Sequence, residues 1–428
     1  MTGVLAPPAP AVDDGTPGPQ PRSETVMRLA ALVVGTAIVV TLLGTLAGWS
    51  WVIVAGSVIA IIMLHELGHF VTAKRSGMKA TEFFVGFGPR LWSIKHGETE
   101  YGIKALPLGG YVKILGMTSA EELDPTDEPR SFVNQSTSKR VLVASAGSIV
   151  HLLLALGLAV GALLFIGNPS TAKISVKALE NYGHGVLSPA QLAGIRPGDT
   201  FVSINGVPAT SDRVLTVINR SGGKAIPVVV IRHGHRLTLI ATPEPKTKGD
   251  TNAYLGVFLR EAPVYAHPGL LGSITGGTAL VWKVTTGTVA AFGHAFSPQG
   301  LGALAQQVGN PAAAAKAKAS GQSTVSAIGA GQLLDDAAKA GWLQFIEILI
   351  ALNISLGVLN MLPMLPLDGG HVAIALYERA RTRKGKARYR ADVNKLMPVV
   401  YAFMAFLLLF VASKMYLDIA HGVSNPFN

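Results

Sequence analysis

His65-Glu66-Leu67-Gly68-His69 lies inside an apolar stretch that runs from Trp51 to Ala73. Two imidazoles and a carboxylate are costly in the interior of a segment long enough to cross a bilayer, and residues placed there carry function. Residues four apart share one face of a helix. That spacing brings both rings to one Zn²⁺ and leaves Glu66 beside them as a general base.

The surrounding composition fits a membrane setting. The chain has 428 residues, of which 49% are hydrophobic and 14% charged, with a mean hydropathy of +0.41. Soluble domains carry about 25% charge, so this is a membrane protein with some soluble mass attached. Cysteine is absent, which excludes a disulfide framework and thiol chemistry. The net charge is +11, and Arg379, Arg381, Arg383, Lys384, Lys386, Arg388 and Arg390 crowd one short loop without an acid among them. A nucleic-acid patch is the rival reading of that run. Beside a hydrophobic segment, the positive-inside rule explains it better, and no nucleic-acid partner is expected.

Five segments qualify as spans: Leu29–Trp49, Trp51–Ala73, Val141–Ile166, Trp342–Leu362 and Leu396–Leu417. Residues 1–28, rich in Pro, Ala and Gly near their start, read as a disordered cytoplasmic tail without the short charged start of a signal peptide. If all five segments span, every basic cluster falls on the cytoplasmic side, with the N-terminus inside and the C-terminus outside. A sixth stretch, Ile274–Phe296, carries Lys283 and His294. Counting it would move the basic loop outside, so it reads as an amphipathic or interfacial helix on the outer side, within a helical segment 263–341. The second and fourth spans then run in the same direction, and the ends carrying His69 and Asp368 meet at similar depth.

Two histidines leave zinc short of the three protein ligands typical of catalytic sites. The extended soluble motif would place its glycine and third histidine at Thr72 and Arg75, which closes that route. The remaining candidate is the run from Asn360 to His371, Asn-Met-Leu-Pro-Met-Leu-Pro-Leu-Asp-Gly-Gly-His. Pro363 and Pro366 cannot support an unbroken helix. Non-helical backbone at membrane depth is tolerated where protein or a cavity surrounds it. Asp368 is then a buried carboxylate in need of a cation, although Asp-Gly is also a common turn pair. His371 reads as a supporting group, because a catalytic site keeps one position open. His151 reads as a hydrogen-bonding residue between helices, and Asn353 and Ser355 as either that or a lining of the substrate path.

The pair His-Glu-x-x-His and Asn-x-x-Pro-x-x-x-Leu-Asp-Gly resembles the site-2 protease family of intramembrane metalloproteases. Within it the chain is similar to the bacterial regulator-of-sigma-E proteases and their actinobacterial relatives. The resemblance implies zinc ligands at His65, His69 and Asp368, Glu66 as catalytic base, and Asn360, with Pro363 beside it, holding the substrate backbone near the metal. It covers about Trp51 to Leu417 and is weakest between Pro268 and Gly341.

The connecting segments add to the resemblance. Between 81 and 117, β-prone runs are punctuated by Gly and Pro, as in Gly86-Phe87-Gly88-Pro89 and Pro107-Leu108-Gly109-Gly110-Tyr111. They read as hairpins and look like the family's membrane-reentrant β-hairpin region. A strand edge there, at Gly109, Gly110 and Tyr111, would pair with an extended substrate, replacing the hydrogen bonds lost when a substrate helix unwinds. Between 171 and 262, Ser188–Asp199 followed by Phe201–Gly206 looks like a PDZ domain, either gripping a carboxyl terminus or acting as a size filter.

The expected protein is therefore a polytopic α-helical membrane protein with about five spans, a cytoplasmic-side reentrant hairpin and one extracytoplasmic PDZ domain. It sits in a bacterial plasma membrane with its active site near the cytoplasmic face. The resemblance implies a substrate that is a single-span protein of the anti-sigma-factor type, already trimmed outside. A noncatalytic scaffold is the first rival, which intact Glu66 disfavours. A metal transporter is the second, disfavoured because the ligands gather at one membrane edge.

Overall fold

The computed structural model describes residues 22–117, 124–180, 186–209, 211–245, 252–319, 326–383 and 388–423. In chain order its helices and strands are α1 (Arg22–Leu46), α2 (Trp49–Arg75), β1 (Ala80–His96), β2 (Thr99–Ile114), α3 (Thr137–Gly161), β3 (Asn168–Leu179), α4 (Pro189–Leu192), β4 (Thr200–Ile204), β5 (Val207–Pro208), α5 (Ser211–Arg220), β6 (Ile226–Arg232), β7 (His235–Ala241), β8 (Glu244–Pro245), β9 (Ala253–Tyr254), β10 (Val257–Ala266), α6 (Gly269–Ala295), α7 (Pro298–Gly309), α8 (Pro311–Ala319), α9 (Ala327–Ala340), α10 (Trp342–Asn360), α11 (Asp368–Arg381) and α12 (Met397–His421). A π turn over Ala162–Ile166 continues α3.

Four helical stretches among the described residues are long and apolar enough to cross a membrane: Trp49–Arg75, Thr137–Ile166, Trp342–Asn360 and Val393–His421. In α1 a shorter apolar run covers Val33–Leu46. Large apolar side chains such as Leu153, Leu408 and Leu409 stand exposed on these helices. That is the pattern of helices whose backbone is satisfied internally and whose surface meets lipid.

Several boundaries differ from the sequence reading. Helix α1 begins at Arg22, inside the stretch assigned to the tail, and residues 1–21 lie outside the described set. The fourth apolar segment ends at Asn360 and a separate helix starts at Asp368. Arg379 and Arg381 therefore sit in the last turn of α11 rather than in a loop, where cations complement the helix dipole. Lys384 and Lys386 lie outside the described residues. Helix α6 does not meet the length-and-apolarity standard of the other four. Its Val281 and Val284 pack against the cluster of Ala155, Ala159, Ile350 and Ile354 from α3 and α10.

The chain divides into two compact units, one holding residues up to Ala159 and from Ala279 onward, the other Val160–Thr278. In the first, α2 buries a stripe of Val54, Ile61, His65, His69 and Ala73, so the motif lies on the helix face that packs inward. Val54 and Ile61 join Leu334 and Ala337 of α9 and Phe345 and Leu349 of α10 in one cluster. The β1–β2 ribbon curls on itself: residues 82–85 align both with 110–113 and with 100–103.

The second unit is an antiparallel sheet in the order β10-β3-β4-β6-β7, with β5 attached to β4. Its core is Ile174, Val176, Phe201, Ile204, Val228 and Val230 with Val214 and Ile218 of α5. Alternation along β6, with Ile226, Val228 and Val230 buried, is the period-two signature of a half-buried strand. Ser188 caps α4 in a reciprocal capping box with Gln191. Asp199 is fully buried, and its carboxylate accepts hydrogen bonds from Arg232 at 2.7 Å and from the Arg196 amide at 2.8 Å. Burial opposes the charge on Asp199, and these bonds outweigh it, holding the carboxyl below its usual range.

Candidate metal centre

The two histidines of α2 point at the start of α11. His65 Nε2 and His69 Nε2 are 3.2 Å apart, and Asp368 Oδ2 lies 3.4 Å from the first and 3.3 Å from the second. Tetrahedral zinc with bonds of about 2.0–2.1 Å holds its ligands about 3.3 Å apart. The three atoms thus form one face of such a tetrahedron. Asp368 Oδ2 is buried with no hydrogen-bond donor among the described residues. An orphaned carboxylate oxygen beside two imidazole nitrogens fits a divalent cation, and the N₂O donor set suits zinc.

Each of the three candidate ligands is held by local structure. His69 Nδ1 is 2.7 Å from the Val143 carbonyl. A carbonyl only accepts, so Nδ1 carries the hydrogen and Nε2 presents its lone pair to the group. Gly147 of α3 lies flat against the His65 ring, where any side chain would overlap it. A Cβ on Gly68 of α2 would lie 2.8 Å from Val150 Cγ2 and 3.0 Å from the Ala146 carbonyl. Small residues on both helices let α2 and α3 approach closely, as membrane helices do. Asp368 starts α11, where an acid favours the helix dipole. The glycines after it let the preceding loop fold onto that first turn: a Cβ on Gly370 would be 2.5 Å from the Leu365 amide nitrogen.

Around this group, Glu66 accepts a hydrogen bond at Oε2 from the Val112 amide, 3.1 Å away. His151 Nδ1 is 3.1 Å from Asn353 Oδ1, and the Asn353 amide nitrogen donates to the Leu349 carbonyl. This pair bridges α3 and α10, with the His151 ring 4.9 Å from that of His65. His371 stands edge-on to Phe132 at 5.9 Å and is not one of the three clustered ligands. Asn360 is the last residue of α10 and half-buried. Pro363 lines a cavity of about 410 Å³ with Met364, Leu365, Ile374, Tyr377 and Val399, a space lined by none of the three ligands. Gly109, Gly110 and Tyr111 lie on β2. Tyr111 is stacked on Phe84 and Phe87, and its hydroxyl donates to Glu82.

Two supports left no trace a sequence reader can see, because the Val143 carbonyl and the Val112 amide are backbone groups. Gly147 did leave one, a small residue inside an apolar span.

A model of Peptidase family M50 matches residues 53–407. The chain is 35% identical over 410 residues to zinc metalloprotease Rip1 of Mycobacterium tuberculosis, covering 88% of this chain and 97% of that protein. It is 31% identical over 407 residues to zinc metalloprotease Rip1 of Mycolicibacterium smegmatis, covering 88% and 98%. The matched region runs through both halves of the metal group, the α2 histidines and the aspartate that opens α11, so the chemistry and the kinship agree: this chain belongs to peptidase family M50, the site-2 proteases, and is a membrane zinc metalloendopeptidase.

Proposed function

We propose that the chain hydrolyses a peptide bond of a single-span membrane protein within the bilayer. His65, His69 and Asp368 hold the zinc, and Glu66 is the catalytic base. Held there, zinc would supply Lewis-acid chemistry, lowering the pKa of a water toward about 7 and polarising the scissile carbonyl. Glu66 takes the proton of the attacking water and delivers it to the leaving amine as the carbon–nitrogen bond breaks. Asn360 and Pro363, at the break between α10 and α11, hold the unwound substrate backbone. The edge of β2 at Gly109–Tyr111 offers that backbone strand-type partners. The observation that carries the reading is the triangle of His65, His69 and Asp368 with Glu66 on the adjacent helical position.

The topology that fits is five spans, α1 included, with the N-terminus and the metal centre on the cytoplasmic side. The sheet unit is a PDZ-type domain on the outer side that excludes untrimmed substrates, and the substrate class is an anti-sigma-factor type protein after a first outer cut. Intact Glu66 beside the three clustered side chains supports the enzymatic reading over a scaffold. The direct test is Glu66→Gln in the full chain. Cleavage of a model single-span substrate should fall by about a hundredfold to ten-thousandfold, with zinc content and membrane insertion unchanged. Undiminished cleavage would sink the assignment of the base.

A further inference from the structure

The last part of β2 does something to the active site that substrate pairing does not describe. Among the described residues, 110–114 pair with the first part of β1 and have no strand neighbour on their other side. That side faces α2. The Val112 amide, which would be the next donor offered to an added strand, instead donates to Glu66 Oε2 at 3.1 Å. Among the described residues no hydrogen bond reaches Glu66 Oε1.

Gly110 makes this approach feasible. A Cβ at Gly110 would lie 2.5 Å from Met63 Sδ, 3.1 Å from the Phe84 carbonyl and 3.5 Å from Glu66 Cγ. A Cβ at Gly109 would instead lie 3.1 Å from Phe87 Cε2 of β1, with Ile62 Cγ2 of α2 at an ordinary 3.8 Å. The strand is fixed from its other side. Tyr111 stacks on Phe84 at 5.8 Å and on Phe87 at 6.1 Å, and its hydroxyl donates to Glu82. The Lys104 ammonium lies 4.4 Å over the Tyr111 ring.

We infer that Gly110 and the Val112 amide are positioning elements for the base. A glutamate has three side-chain torsions, and a base works only within hydrogen-bond reach of the proton it takes. One fixed donor on Oε2, with the strand closed down on Cγ, selects one orientation and leaves Oε1 for the proton. Gly110 is then the clearance that lets backbone touch the motif helix. The inference rests on the reading of Glu66 as base.

The test uses the full chain purified in detergent, with kcat, KM and zinc per chain measured on a single-span substrate. Replacing Val112 by its α-hydroxy analogue puts an ester oxygen where the amide N–H stands and changes no side chain. kcat should fall about tenfold to a hundredfold, the loss of one hydrogen bond to a charged group, while KM stays within about twofold and zinc content holds. Gly110→Ala should lower kcat likewise, and Met63→Ala in that background should restore most of it by clearing the sulfur. A raised KM at unchanged kcat in the Val112 ester variant would overturn the inference and make that amide a substrate contact, and so would loss of zinc in that variant or failure of the Met63→Ala rescue. Full activity of Glu66→Gln would instead strike the underlying reading, so the two failures are distinct.

Discussion

Asp368 is the residue on which the metal group depends most visibly. The histidines come as a pair on one helix, but the aspartate arrives from a different element, and among the described residues its Oδ2 has no hydrogen-bond donor, with the two imidazole nitrogens 3.4 and 3.3 Å away. Without it two imidazoles remain, too few for the three-ligand catalytic pattern. Asp368→Ala and Asp368→Asn should both weaken zinc retention by more than the roughly tenfold to hundredfold that loss of a supporting partner costs. Metal analysis of purified protein, with melting followed in parallel, reads this directly. A variant that keeps about one zinc per chain would show that the aspartate only starts α11. The spacing of His65 and His69 is legible because helical periodicity forces it, and Asp368 because Pro363 and Pro366 forbid the helix that would have carried it away. The Val143 carbonyl is not legible, since every residue carries one and only the packing of Gly68 and Gly147 brings this one to the imidazole.

At the level of elements, the hairpin must be held against α2 for its far end to reach Glu66. The anchor is at its tip. Glu98 accepts from Arg130 at 2.6 and 2.9 Å and from Lys74, the end of α2, at 2.5 Å. The Arg130 bonds first, then Lys74, pull the Glu98 carboxyl from its ordinary value of 4.5 down to about 2. A depressed folded-state value means that the stabilisation is fully present above about pH 4.5 and is lost as pH falls through about 2. The cluster is partly exposed, so its worth is about 1 kcal/mol or less. Melting of the wild type and Glu98→Gln should therefore differ by a small constant amount near neutral pH, and the gap should close as pH drops below about 4.5. A gap independent of pH would show that the carboxylate charge contributes nothing. Sequence alone shows a Gly- and Pro-punctuated β region here. It does not show the curl that pairs residues 82–85 twice, because that double register depends on close backbone approaches far apart in sequence, such as Gly86 against Leu106 and Gly102 against Trp92.

For the molecule as a whole, the chain divides into two units, and the residues of the metal group fall in one of them. His65, Glu66, His69 and Asp368 all belong to the unit that excludes residues 160–278. The sheet inserted there enters and leaves at one point, because Asn168 pairs with Ala266 across β3 and β10. Partner residues in an antiparallel ladder stand about 5 Å apart, so a linker of a few Gly and Ser residues can replace 169–265 without stretching the chain. The shortened protein should bind zinc at wild-type stoichiometry, since no ligand is lost. If the inserted domain excludes long ectodomains, the shortened protein should still cut a pre-trimmed single-span substrate and should now cut the untrimmed one as well, a change read by comparing both substrates in proteoliposomes. If the domain instead grips the new carboxyl terminus left by the first cut, cleavage of the trimmed substrate should fall and the untrimmed one should stay intact. The zinc measurement keeps either outcome interpretable, because a shortened chain that retains its metal has kept the centre on which both readings depend.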